Sequence, residues 1–208
     1  MPNPDPITGA LTKGIDEGVS AAKNLLEKLC GPAFEELGLL LQDRARKYRL
    51  KNQLRMLGKV QRMIQEADTI VRTVPLRTLL PLLEGAALED DESLSDKWAG
   101  LLASAASSED SESIHPSFAR ILSEISPREA IILDKLYQAG KETEWNSFRE
   151  RLAKEFGTSV DSINIAYGNL FRLGLCRIKK GPTEGMIELG PFGQSFLVAA
   201  YGPTPRGT

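Results

Sequence analysis

A chain of 208 residues with 41% hydrophobic and 26% charged side chains has the composition of a folded globular protein, which excludes wholesale disorder and a fibrous repeat. Its two cysteines, Cys30 and Cys176, have no cysteine or histidine neighbour at ligand spacing, so neither a disulfide framework nor a zinc site is expected. The formal net charge is only −2 but is sorted along the chain: residues 44–62 hold eight Lys and Arg and no acid, whereas residues 84–112 hold nine acids against the single Lys97.

Residues 1–14 are expected to be a flexible N-terminus. The opening MPNPDPITGA has no basic or apolar leader region, and no window approaches the roughly 18 apolar residues of a membrane span, so the expected location is the cytoplasm. A helical domain is predicted over 15–106. Ile15, Val19, Ala22, Leu26 and Leu29 recur at helical spacing up to Gly31-Pro32, a stop and restart. No proline occurs from Ala33 to Val74, and residues 33–68 predict one helix of about 50 Å, bent at Gly38 or Gly58. Leu50, Leu54, Leu57, Val60 and Ile64 mark its core side. Pro75 and Pro81 suit first-turn positions, so residues 73–88 read as a short kinked helix before the four acids Glu89, Asp90, Asp91 and Glu92. Leu94, Trp98, Leu101, Leu102 and Ala105 then form one apolar face of a helix capped by Asp90 or Asp91.

Residues 107–113, SSEDSES, read as a polar linker. Beyond it a second domain, 114–201, carries a helix opened by Pro116 and another announced by the capping-box spacing Ser126-Pro127-Arg128-Glu129. A helix with Trp145, Phe148, Leu152 and Phe156 is stopped by Gly157, and one with Val160, Ile163, Tyr167 and Leu170 by Gly174. LCRIK and MIEL predict two short strands around KGPTEG before a final helix, and 202–208 are an expected flexible end. The fold class is therefore mainly α: an N-terminal helical bundle with a long basic helix, plus a C-terminal winged-helix-like domain with a small β-hairpin.

Charge supplies the candidate binding residues. Advancing 100° per residue, Arg44, Lys51, Arg55 and Arg62 align, with Lys47 and Lys59 60° to either side. This stripe of about 27 Å fits an acidic protein surface, nucleic acid or an anionic membrane surface. It is equally placed to be neutralised by the acids of 84–96. The helix itself offers a route to homo-oligomers. In the second domain the basic and acidic side chains of 126–200 nearly cancel, which argues against a DNA footprint. Its third helix offers Asn169 and Arg172 as polar readers, and the hairpin tip offers Lys179 and Lys180. No catalytic, metal-binding or cofactor-binding constellation is found; His115 before Pro116 reads as a helix-start residue.

The run VPLRTLLPLLEGAALEDDESLSDKWAGLLASA, followed by IHPSFARILSEISPREAIILDKL, resembles the bacterial abortive-infection alpha (Abi-alpha) domain family. The marks are the hydrophobic-Glu-Gly-Ala run Leu83-Glu84-Gly85-Ala86, Glu89 to Leu94, Trp98-Ala99 and His115-Pro116-Ser117-Phe118. The resemblance implies a role in phage defence by abortive infection, in which an infected cell stops growing or dies before progeny are released. It brings no catalytic residues. The expected activity is a non-enzymatic module that recognises a phage or host protein; a nucleic-acid-binding regulator and a membrane-acting effector are the alternatives.

Overall fold

The computed structural model describes residues 20–29, 46–108, 114–140, 143–179 and 185–204. The expected flexible N-terminus, the first part of the long helix with Gly38 and Arg44, linker residues 109–113, Lys180 with most of the KGPTEG turn, and the chain from 205 onward lie outside them.

Local chemistry sets most of the helix ends. α1 (20–29) buries Ala22, Leu25 and Leu29, and the Leu29 carbonyl accepts the Val74 N–H at 2.9 Å. α2 (Arg46–Glu66) stays helical through Gly58 and buries Met56, Leu57, Val60 and Ile64, while Leu50, expected on the core side, is exposed. α3 (Leu76–Ala87) follows the N-cap residue Pro75; Pro81 lies inside this one helix, on its solvent side, rather than opening a second turn. α4 (Glu92–Ser107) is capped by Asp91, whose carboxylate accepts the Leu94 N–H at 3.0 Å. α5 (Ser117–Glu124) starts behind Pro116.

The expected capping box opens α6 (Pro127–Ala139): Ser126 Oγ accepts the Glu129 N–H, and Glu129 Oε2 accepts the Ser126 N–H at 2.6 Å. Strand β1 (Thr143–Glu144) leads into α7 (Trp145–Phe156), which Gly157 ends at φ 59°, a left-handed turn suited to glycine. α8 (Val160–Arg172), β2 (Cys176–Ile178), β3 (Met186–Leu189) and α9 (Pro191–Tyr201) complete the order. The sheet is antiparallel in the order β1-β3-β2, pairing Thr143 with Ile187 and Cys176 with Leu189. Two strands were expected; β1 is a third, two residues long.

One continuous apolar cluster runs from Ala22 to Ala200. α4 is its axis. Ten of its 16 residues are buried, more than one apolar face would require, and α2, α3, α5, α6 and α9 all pack on it. Small residues permit that crowding: a Cβ on Gly100 would overlap the Ala200 carbonyl, and Ser104 Oγ donates to the Ala199 carbonyl at 2.8 Å. Helix α4 thus joins α2 and α3 directly to the C-terminal helices.

Candidate functional site

The last carbonyls of a helix have no partner within it and must find donors elsewhere. At the end of α3 the Gly85 and Ala86 carbonyls accept the Leu88 and Glu89 N–H groups, and α2 supplies further donors to the helix end and the bend. Asn52 Nδ2 donates to the Ala87 carbonyl at 3.3 Å and to Asp90 Oδ1 at 3.2 Å, and Gln53 Nε2 donates to the Leu83 carbonyl at 3.1 Å. Arg55 Nη2 reaches the Glu89 carbonyl at 2.8 Å, with Nη1 3.3 Å from Glu92 Oε2. Lys59 is buried, its Nζ 2.6 Å from Glu92 Oε1 and 2.7 Å from Asp96 Oδ1. Glu89 turns back to accept the Asp91 N–H at 2.9 Å.

The acids at the bend therefore do two things: Asp91 caps α4, while Asp90, Glu92 and Asp96 receive the polar ridge of α2. The hydrogen bond from Lys59 first, then the charges of Lys59, Arg55 and Arg62, holds the Glu92 carboxyl below the usual glutamate range. Of the expected stripe, Arg55 and Lys59 are thus committed inside the fold. Lys51 and Arg62 are exposed and ion-pair with no described residue. Arg44 lies outside the described residues; Lys47 is in α2, but nothing of its side chain is described.

Glu84 is exposed. Gly85 has a steric cause, because a Cβ there would overlap the six-membered ring of Trp98, which is 1% exposed. Among the described residues the indole Nε1–H has no hydrogen-bond partner. His115 is the helix-start residue expected: its Nδ1 accepts the Ser117 N–H at 3.3 Å and shares a 2.7 Å hydrogen bond with Ser117 Oγ. Its ring packs edge-on against Phe192 at 5.4 Å and near Phe118 at 5.8 Å. Pro116, beside it, is the N-cap of α5.

On α8 the polar residues considered for base contacts are bonded within the chain, although Arg172 stays 61% exposed. Asn169 Nδ2 donates to Glu129 Oε1 at 2.9 Å and to the Glu124 carbonyl at 3.3 Å; Arg172 Nη2 donates to Glu124 Oε2 at 2.8 Å. That arginine lowers the Glu124 carboxyl. Lys179 is exposed, and its N–H extends the β2–β3 ladder to the Met186 carbonyl at 3.0 Å. What α8 presents outward is largely uncharged. Ile165 is 76% and Phe171 50% exposed, and they bound an arc of about 120° holding Asp161, Asn164, Gly168 and Arg172. A Cβ on Gly168 would meet nothing within 4 Å.

The family model described as Abortive infection alpha matches residues 42–200. The chain belongs to the abortive infection alpha family. No curated protein and no solved structure gives a significant match. The matched span contains the whole α2–α4 arrangement, the Gly85–Trp98 contact and the His115 cap. Among the described residues no group of three or more His, Cys, Asp or Glu side chains is placed to hold a metal ion, and no helix is long and apolar enough to cross a membrane.

One further cluster in this family member carries no sequence signal beyond a lone base among acids. Lys97, side chain 5% exposed, places Nζ 2.8 and 2.9 Å from the two oxygens of Asp134. Tyr201 Oη donates to the same carboxylate at 2.7 Å while its ring lies 5.1 Å from the Lys97 ammonium. Burial first, then Asp134, raises the Tyr201 hydroxyl. The cluster ties α4, α6 and α9 together.

Proposed function

We propose that this family member is a non-enzymatic binding and effector module of an abortive-infection, phage-defence system, and that it docks a phage or host protein through the outward arc of α8. The order α6-β1-α7-α8-β2-β3, with its β1-β3-β2 sheet, supports reading the C-terminal half as a winged-helix-type unit in which α8 is the presented helix. The observation that carries the choice of partner is the character of that helix. Ile165 and Phe171 are solvated, whereas Asn169 and Arg172 are bonded within the chain. Ile165 and Phe171 flank this exposed face and suit an apolar protein partner, while phosphate binding needs several free cations together. A binding rather than a chemical role also fits His115, engaged as a cap, and Cys176, whose thiol burial pushes up to about 12.

Nucleic acid is tested directly by fluorescence anisotropy with labelled duplex and single-stranded DNA. The docking reading expects no binding that weakens steeply between about 50 and 200 mM salt. Tight, salt-sensitive binding that disappears in Lys51→Gln/Arg62→Gln would move the function to α2 and overturn the reading.

A further inference from the structure

Beside the outward arc of α8, the chain builds a pocket of about 380 Å³ lined by Trp145, Arg149, Asn164, Tyr167, Ile178 and Ile187. Its walls are apolar and aromatic: the Trp145 and Tyr167 rings pack with centroids 4.4 Å apart, and Ile187 is buried while Ile178 is 55% exposed. Asn164 belongs both to the arc and to the pocket, so a partner lying along α8 passes the opening.

The single charge in this lining is the Arg149 guanidinium, and it is short of acceptors. Its one hydrogen bond among the described residues is a long one, Nη1 to Asn164 Oδ1 at 3.4 Å, and its Nε–H is shielded from solvent with no partner. Among the described residues no carboxylate competes for it. Glu144 accepts the Asn146 and Ser147 N–H groups at 2.9 and 2.7 Å, Glu188 pairs with Arg177 at 2.7 Å, and neither Glu150 nor Asp161 forms an ion pair with a described residue. A half-buried guanidinium fork whose Nε–H is shielded and unpaired is matched in charge and shape by a carboxylate, and the aromatic and Ile walls are matched by an apolar group attached to it. The volume suits one residue of that kind.

We propose that this pocket takes the carboxyl-terminal residue of the docked protein, a bulky apolar or aromatic side chain with its free α-carboxylate on Arg149. This inference deepens the α8 docking reading and rests on it for the source of the ligand. An acidic side chain in mid-chain would leave the Trp145, Tyr167 and Ile178 walls uncovered, whereas a chain end satisfies walls and cation together.

The test uses the full chain, a Gly/Ser hexapeptide ending in phenylalanine as acid and as amide, and N-acetylphenylalanine, followed by the Trp145 indole and Asn164 side-chain NMR signals. The acid peptide should shift both signals in a saturable way, with the amide weaker by about ten-fold or more. Arg149→Gln should reduce the acid to the level of the amide, and Arg149→Lys should restore part of the difference. Equal binding of acid and amide, an unaffected Arg149→Gln variant, or no shift with either peptide would overturn the proposal. N-acetylphenylalanine binding as tightly as the peptide would overturn the chain-end assignment in favour of a small acid. Ile165→Asp separates the two readings: it should keep peptide binding while losing phage protection. If protection depends on Ile165 but Arg149→Gln binds the acid peptide normally, docking stands and the pocket assignment fails.

Discussion

Trp98 and Gly85 make one steric unit, since the glycine exists where an indole ring has taken the space of its side chain. Trp98→Ala should destabilise by about 3 to 5 kcal/mol, as expected for emptying a buried aromatic site, and chemical denaturation measures it. Gly85→Ala should lower stability by about 1 to 3 kcal/mol through overpacking; a variant that unfolds like wild type would put the ring elsewhere. Gly168 is the opposite case. It weakens an exposed helix while no described residue fills its place, so Gly168→Ala should raise stability by about 1 kcal/mol. A partner that approaches the backbone closely there should bind the alanine variant less well. The Asp134 carboxylate neutralises a buried ammonium, and Asp134→Ala should cost about 3 to 5 kcal/mol because Lys97 is left unpaired.

At the scale of elements, α2 and the α3–α4 bend hold each other by hydrogen bonds to carbonyls as much as by ion pairs. Glu92 is 68% exposed, so its attraction to Lys59 is screened and modest. Its carboxyl nevertheless titrates below the ordinary glutamate value of about 4.3. Because the folded state has the lower value, the contribution is present above that pH and fades as pH falls through the lowered value. Glu92→Gln should flatten the acid side of the stability profile, read as melting temperature from about pH 7 to 3; an unchanged acid limb would place the loss on other carboxylates. Much of this was legible in the residues. The Ser126 capping box, the Asp91 cap and the Gly157 stop are local chemistry, and the angular spacing of Arg55 and Lys59 follows from the helix period. What the spacing could not specify is the partner. Lys59, at the edge of the stripe, lies buried beneath Glu92 and Asp96, and that depends on how α4 lies across α2. β1 is too short to carry a period, and the Lys97–Asp134–Tyr201 cluster joins residues 37 and 67 positions apart. The burial of α4 beyond a single face likewise reflects helices that arrive later in the chain.

For the whole molecule, Arg55 and Lys59 of the basic stretch meet Glu92 and Asp96 within the fold, and the α8 arc with its adjoining pocket is the surface we propose for a partner. α4 connects that half to α2 and α3 through the Lys97 cluster and the Gly100–Ala200 crossing, so an event at α8 acts on a body with one continuous core. The central claim is that defence works through this arc and not through the exposed remainder of the basic stripe. The most direct test is phage plating on cells carrying wild type, Ile165→Asp or Lys51→Gln/Arg62→Gln, with melting temperatures confirming that all three fold. The account predicts wild-type protection for the lysine and arginine double variant and loss of protection for Ile165→Asp. Full protection by Ile165→Asp, with protection lost in the double variant, would contradict it.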